Sequence, residues 1–304
     1  MKIFDLNSCN VRNYMLHLHT GIRIPDISIS THLTYKYLLR MMTWQMGNNI
    51  TLFINLVTLW RRKKIVFFTG AGMSRESGLP VFRGHEGIWN RLDVERVASA
   101  RSWYCGRRSD YNERRQAMLD FFNTLRRAIM AHSPNEGHHI IAELEKDFDI
   151  TVITQNGDDY HTRAGSTNVI YLHGEALKNT SSTNPYRPLP IDTDNPDIRI
   201  GDKAPDGSQI RPFVIYFDEN IDKRLWQKAL QATRQADYFV VVGSSMLVFP
   251  AADLLSKTKS GCRVFVIDPG EVNLPVQSRQ PFTHISEPAS TGLESFRQIL
   301  NQSI

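Results

Sequence analysis

The sequence predicts an α/β fold, a doubly wound parallel sheet carrying a smaller inserted helical and loop module. Three observations lead there. Short apolar runs recur along the chain, with the length and character of strands buried on both faces. Helical patterns lie between several of them, as crossovers between parallel strands require. A glycine-bearing loop follows the first run directly, where such folds turn from strand to helix. The 304 residues accommodate one large α/β domain with a satellite, or two ordinary domains.

Residues 1–60 show no clear hydrophobic period and read as an N-terminal extension, either poorly ordered or a targeting segment. Residues 1–64 hold nine Lys/Arg against two acids, a net +7 within a total of +5. The remainder is therefore slightly acidic, and the basic pI of 9.1 is not a nucleic-acid footprint on the body of the protein. Few acids and several Arg also suit a transit peptide. The first expectation is a cytoplasmic protein, and a mitochondrial one is the alternative. The apolar stretch Ile50–Trp60 is too short to span a bilayer, so no membrane partner is expected. Cys9, Cys105 and Cys262 are widely spaced, which argues against a disulfide framework and a sulfur-bound zinc.

The main folded domain is expected over residues 61–304. Its strands read as Lys64–Thr69, Asp149–Thr154, Asn168–Leu172, Phe213–Phe217, Tyr238–Val242 and Val264–Ile267. Tyr111–Ala131 reads as a helix, with Met118, Leu119, Phe122, Leu125 and Ile129 on one face. Asn135–Lys146 follows Pro134, with a cap expected near Ser133, and Lys223–Gln235 is a third helix. Two segments break the rhythm. Residues 84–135 form a long helical excursion, and residues 175–210 are polar, Pro-containing and loop-like. Both read as insertions that build the small domain.

The first strand runs into Gly70–Trp89, GAGMSRESGLPVFRGHEGIW. Glycines allow close approach to a pyrophosphate, and free N–H groups at the start of the next helix bind the anion. The second strand runs into Thr154–His161, TQNGDDYH, the third into Leu172-His173-Gly174, and the fifth into Gly243-Ser244-Ser245. Arg211–Glu219 reads RPFVIYFDE. Together these segments closely resemble the sirtuin (Sir2-like) family, over about residues 62–285. The resemblance implies a Rossmann-like domain that binds NAD as a co-substrate. The NAD contacts it implies are Gly70, Ala71, Gly72, Phe82, Arg83, Gln155, Asn156, Asp158, Gly243, Ser244, Ser245 and Asp268. His173 is implied as the general base, with Asn156 and Asp158 completing the catalytic set. An imidazole has the intrinsic pKa to take a proton from a ribose hydroxyl near neutrality. His161 is expected to play a structural part, bonding across its loop.

The family reaction is removal of an acyl group from lysine, with release of nicotinamide and O-acyl-ADP-ribose. The implied partner is an acyl-lysine protein or peptide, held by strand addition along Val214, Tyr216 and Phe217. Tyr111-x-x-Arg114 resembles the acidic-acyl (desuccinylase and demalonylase) members, in which Tyr and Arg one turn apart bind a carboxylate. Departures from the family pattern fall at Val81, Gly157, Asp159, Asp218 and Asp268. The four zinc cysteines of most sirtuins are missing from residues 175–210, so no zinc is expected and packing and hydrogen bonds must hold the small domain. Two other readings remain on the same motifs: an NAD hydrolase or ADP-ribosyltransferase, and a non-catalytic NAD sensor.

Overall fold

The structure is a computed structural model, and it describes residues 62–83, 87–105, 110–272, 274 and 281–302. The chain divides into two units, Met1–Arg61 and Arg62–Ile304. The extension expected over 1–60, its targeting role included, lies outside the described residues.

The second unit is built on six parallel strands: β1 (Lys64–Thr69), β2 (Asp149–Thr154), β3 (Val169–Tyr171), β6 (Tyr238–Val242), β7 (Arg263–Ile267) and β8 (Phe282–Ile285). Their order in the sheet is β3-β2-β1-β6-β7-β8. The order reverses between β1 and β6, the place where open α/β sheets bind ligands beyond the strand carboxyl ends. Strand alternation sends side chains to two covered faces. Ile65, Phe67, Val240, Val242 and Phe265 pack under α4 (Glu136–Leu144) and α7 (Ala289–Gln302). Val66, Phe68, Phe239, Val241 and Val264 pack under α6 (Lys223–Gln235) and the 3-10 helix Ala251–Lys257.

The small module has its own core. It contains α1 (Val94–Ala98), α2 (Ala100–Tyr104), α3 (Tyr111–Ala131), and an antiparallel pair, β4 (Gly174–Ser181) with β5 (Ile210–Val214). Trp103, Met118, Leu119, Phe122, Ile129, Ile198 and Tyr216 meet there, joined by Tyr160 of the short α5 (Tyr160–Arg163). Helix α3 forms over the expected residues, and its expected apolar face is the buried one.

Four expectations change. The run expected as a strand at Phe213–Phe217 belongs to β5, ends at Val214, and pairs with β4 instead of entering the parallel sheet. Residues 175–210 are not loop throughout, because β4 spans eight residues with a register shift between Glu175 and Asn179. Helix α4 is capped by Asn135, whose side chain accepts from Gly137 N while His138 accepts from Asn135 N; the cap is not Ser133. Strand β8 and helix α7 were not anticipated. FTHI is exposed at three of its four positions, so it lacks the apolar signature of a buried strand.

Polar side chains pin the module. Arg126 is fully buried and donates to the carbonyls of Ala176, Lys178 and Pro196 and to Asn179 Oδ1, at 2.6–2.8 Å. Arg211, also fully buried, forks onto both Glu219 carboxylate oxygens and lies 3.8 Å from the Tyr216 ring centre. In the segment where most sirtuins carry zinc cysteines, the Asp206 carboxylate accepts from Ser181, Thr183 and Ser208. Those hydroxyls hold the Asp206 carboxyl well below the usual carboxylate range. Hydroxyl-to-carboxylate bonds thus join the end of β4 to the loop before β5.

Candidate active site

The loops after β1 and β6 touch backbone to backbone. Gly70 N donates to Val242 O and Gly72 N to Gly243 O, at 3.0 and 2.9 Å. A Cβ on Gly243, which has φ +57°, would lie 2.4 Å from the Gly72 carbonyl carbon. Only glycine fits there. The chain then turns through the 3-10 helix Ala71–Ser77, closed by Gly78 in the left-handed region.

A cavity of about 1160 Å³ opens at this switch point. That exceeds the ~300–1,000 Å³ of ordinary small-molecule sites. Of the residues the resemblance implied, Gly70, Ala71, Gly72, Phe82, Arg83, Gln155, Asn156, His173, Gly243, Ser244, Ser245 and Asp268 line it. So do Val214, Tyr216 and Phe217.

The ends of β2 and β3 arrange the polar groups. Gln155 N continues the sheet by donating to Thr69 O, and its Oε1 accepts from Ser244 Oγ at 2.8 Å. Asn156 Nδ2 bridges Gly70 O and Ser74 Oγ. Ser74 Oγ donates to Asp158 Oδ2 at 2.8 Å. Asp158 is buried and sits behind the lining. Burial pushes its carboxyl up to about 6, against the hydrogen bonds from Ser74 and the Tyr160 N–H, which lower it.

His173 Nδ1 lies 3.2 Å from Gln155 O. A carbonyl only accepts, so Nδ1 carries the proton and Nε2 is left as the basic nitrogen. Burial lowers the His173 imidazole below its ordinary value, partly offset by the Gln155 carbonyl. It is therefore neutral at pH 7, the state a general base needs. His161 is buried, with Nε2 3.0 Å from Thr69 Oγ1 and a ring 4.8 Å from that of His138. Burial holds it near 3, so it cannot exchange protons near neutrality.

The acceptor side differs from expectation in two ways. Tyr111 and Arg114 do not line the cavity. Arg114 donates to Cys105 O and Asp110, and the Tyr111 ring lies 4.0 Å from the Arg115 guanidinium. Helix α3 meets the cavity instead through Phe121, Phe122 and Leu125. Those residues lie seven or more positions beyond Arg114, about 10 Å or more along the axis at 1.5 Å per residue. The pair thus stands apart from the part of α3 that lines the cavity. The second correction concerns the pairing edge. Phe217 N and O are already bonded to Ala98 O and Ala100 N, and Ile215 N to His173 O. Asp218, where the family has Gly, keeps the turn by adopting φ 70°, a region Asp tolerates better than most residues.

Site residues that sequence reasoning missed are mostly apolar. Trp89 stacks on Phe82 at 5.1 Å and approaches Phe121 and Phe217. It stood within the quoted motif, but nothing assigned it to the site. Phe121, Ala176 and Val248 carried no local signal, and Leu125 read only as part of the apolar face of α3.

A dinucleotide fits these residues. The glycine backbones leave the β1 loop free of side chains where a pyrophosphate must approach. Asp268, at the tip of β7, lines the far end of the cavity, where an acid bonds ribose hydroxyls.

Residues 70–250 match the Sir2 family profile. An NAD-dependent protein deacylase of Bacteroides thetaiotaomicron is 39% identical over 241 residues, covering 78% of this chain and 98% of that protein. One from Helicobacter pylori strain 26695 is 37% identical, covering 69% and 86%. A solved Sir2 homologue–NAD complex superposes with TM-score 0.65 at 28% identity, covering 80% and 91%. A Sir2 complex with a deacetylated p53 peptide and 3'-O-acetyl ADP ribose gives 0.62 at 26%, covering 82% and 98%. The glycine contact at the switch point, the β2 and β3 polar groups around it and these similarities converge: the chain belongs to the Sir2 family.

Proposed function

We propose that this protein is an NAD-dependent protein lysine deacylase. The observation that carries the reading is His173, a neutral imidazole with Nδ1 tied to Gln155 O, on the wall of a cavity large enough for a dinucleotide and a side chain. When bound, NAD supplies an electrophilic ribose carbon, a nicotinamide leaving group and the ribose hydroxyls.

The chain's residues divide the remaining work. Gly70–Gly72 and Gly243–Ser245 hold the phosphates by backbone approach. Gln155 and Ser244, bonded to each other, offer their remaining donors and acceptors to a ribose. Asn156 is fixed by Gly70 and Ser74, which ties the base-bearing loops to the phosphate loop. His173 Nε2 takes the proton of a ribose hydroxyl. Phe82 and Trp89 cover the site and exclude water, which favours acyl transfer over hydrolysis of NAD. Phe217 and Val248 line the same cavity and offer apolar surface to an acyl-lysine side chain.

Incubation with NAD and an acetyl-lysine peptide, with product identification by mass, tests the proposal. The expected products are free lysine peptide, nicotinamide and O-acetyl-ADP-ribose. ADP-ribose formed with the peptide unchanged would identify an NAD hydrolase.

A further inference from the structure

We infer that the acyl-binding end of the cavity takes an extended apolar acyl chain, and that Gly157 is the residue that opens it. The inference rests on the deacylase reading and names its substrate class.

The acyl carbonyl must sit beside His173, so the rest of the acyl group extends along whatever wall follows. That wall is continuous in the structure. His173 precedes Gly174, which pairs with Val214 across the β4–β5 ladder. Gly157 O accepts from Ala176 N at 2.7 Å, placing the β2 loop against β4. Ala176 is joined to α3 through Arg126, and the next turn of α3 presents Phe122 and Leu125 to the same cavity.

Every α3 and β4 residue on this wall is apolar. The charged side chains that line the cavity come from other loops: Arg75, Glu76 and Arg83 follow β1, Asp218 and Glu219 follow β5, and Asp268 and Glu271 follow β7. Arg126, whose Nε donates to Ala176 O on this wall, already serves four oxygens. An acidic acyl group would find no cation among the α3 and β4 residues that line this wall. An aliphatic chain would bury its methylenes against Phe122, Leu125 and Val214.

Gly157 controls the width. Its neighbours Asn156 and Asp158 point their side chains at Gly70 and Ser74, and glycine itself contributes none. A Cβ built there meets only Ala176, at an ordinary 3.4 Å, and the backbone lies outside the left-handed region. A side chain is therefore sterically admissible, and its absence leaves open volume between the catalytic histidine and α3. Glycine is not needed for the turn, so the space is the consequence to test.

The test compares kcat/KM for one peptide carrying acetyl-, decanoyl- or succinyl-lysine, with NAD saturating. The wild-type protein is expected to favour decanoyl over acetyl by roughly tenfold or more, since each buried methylene adds to binding. The decanoyl-to-acetyl ratio should fall stepwise in Gly157→Ala and Gly157→Val. Leu125→Trp, which narrows the wall from the α3 side, should lower it independently. Acetyl or succinyl turnover exceeding decanoyl in the wild type would overturn the inference while leaving the deacylase reading standing. A ratio unmoved in both Gly157→Val and Leu125→Trp would do the same. NAD consumption without turnover of any acyl peptide would overturn both. Thermal melting of each variant separates narrowing from misfolding, and Gly157→Ala, the smallest change, keeps the comparison available if the larger side chains do not fold.

Discussion

The crevice over the parallel sheet and the small module beside it are held together by different means. The crevice is closed by backbone: Gly70 and Gly72 bond to the β6 end, and Gly243 packs on Gly72 with no room for a Cβ. The module is closed by side chains reaching far along the chain. Arg126 bonds residues 50 to 70 positions away, Asn123 pairs with the Ile198 backbone, and Asp206 gathers three hydroxyls. The difference teaches where chemistry and specificity reside. Groups that handle NAD sit on strand ends fixed by sheet register. The groups proposed to choose the acyl chain sit on a module whose position depends on a few buried polar contacts.

Substitutions can break that comparison. The largest effect is expected at the crevice. His173→Ala should reduce deacylation by roughly 10² or more, the range for a positioned acid–base group, while NAD affinity by calorimetry changes little. Near wild-type turnover would remove His173 from its role.

On the module side, Arg126→Met should cost about 2–4 kcal/mol, because the carbonyls of Ala176, Lys178 and Pro196 lose a buried partner. The crevice is separately built, so the variant should still bind ADP-ribose while its KM for acyl peptide rises. Equal loss of both would show the two regions to be one cooperative unit.

A third variant sharpens the electrostatics of the crevice. Asp158 has a folded pKa raised to about 6 by burial. A carboxyl with a raised folded pKa stabilises the fold when protonated. That contribution is therefore lost as pH rises from the unfolded value near 4 through 6. The ligand-free protein should lose on the order of 1–3 kcal/mol across that window from this group. Asp158→Asn should flatten the stability profile between pH 4 and 6, read by melting temperature, and weaken nicotinamide exchange. An unchanged profile would mean that Asp158 is not the titrating group. The smallest effect is expected at Asp218. Its φ of 70° makes Asp218→Gly stabilising by about 0.5–1 kcal/mol; destabilisation would mean that the Asp218 side chain does more than occupy the turn.

The same contrast explains what the sequence discloses. The parallel strands β1, β2, β3, β6 and β7 stand out because buried strands are continuous apolar runs, and their loops carry contiguous motifs. Helix α3 is equally plain from its period. Strand β8 is not, since Phe282, Thr283 and His284 are exposed at the sheet edge. Nor is β4, whose polar composition reflects bonding within the module; β5 shows only as the run Phe213–Phe217, with other bounds and another partner. The Tyr111–Arg114 spacing is compatible with a carboxylate clamp, yet spacing cannot report how far along α3 the cavity reaches. Phe121 and Leu125 become site residues only once Ala176 of β4 is folded against their helix.

The central claim is that NAD cleavage at His173 is coupled to removal of an acyl group from lysine. A single time course measures nicotinamide released and peptide deacylated in the same tube, with and without acyl peptide. The account predicts one nicotinamide per lysine freed, and negligible release when the peptide is unmodified. Nicotinamide released at the same rate whether or not an acyl-lysine is present would contradict it.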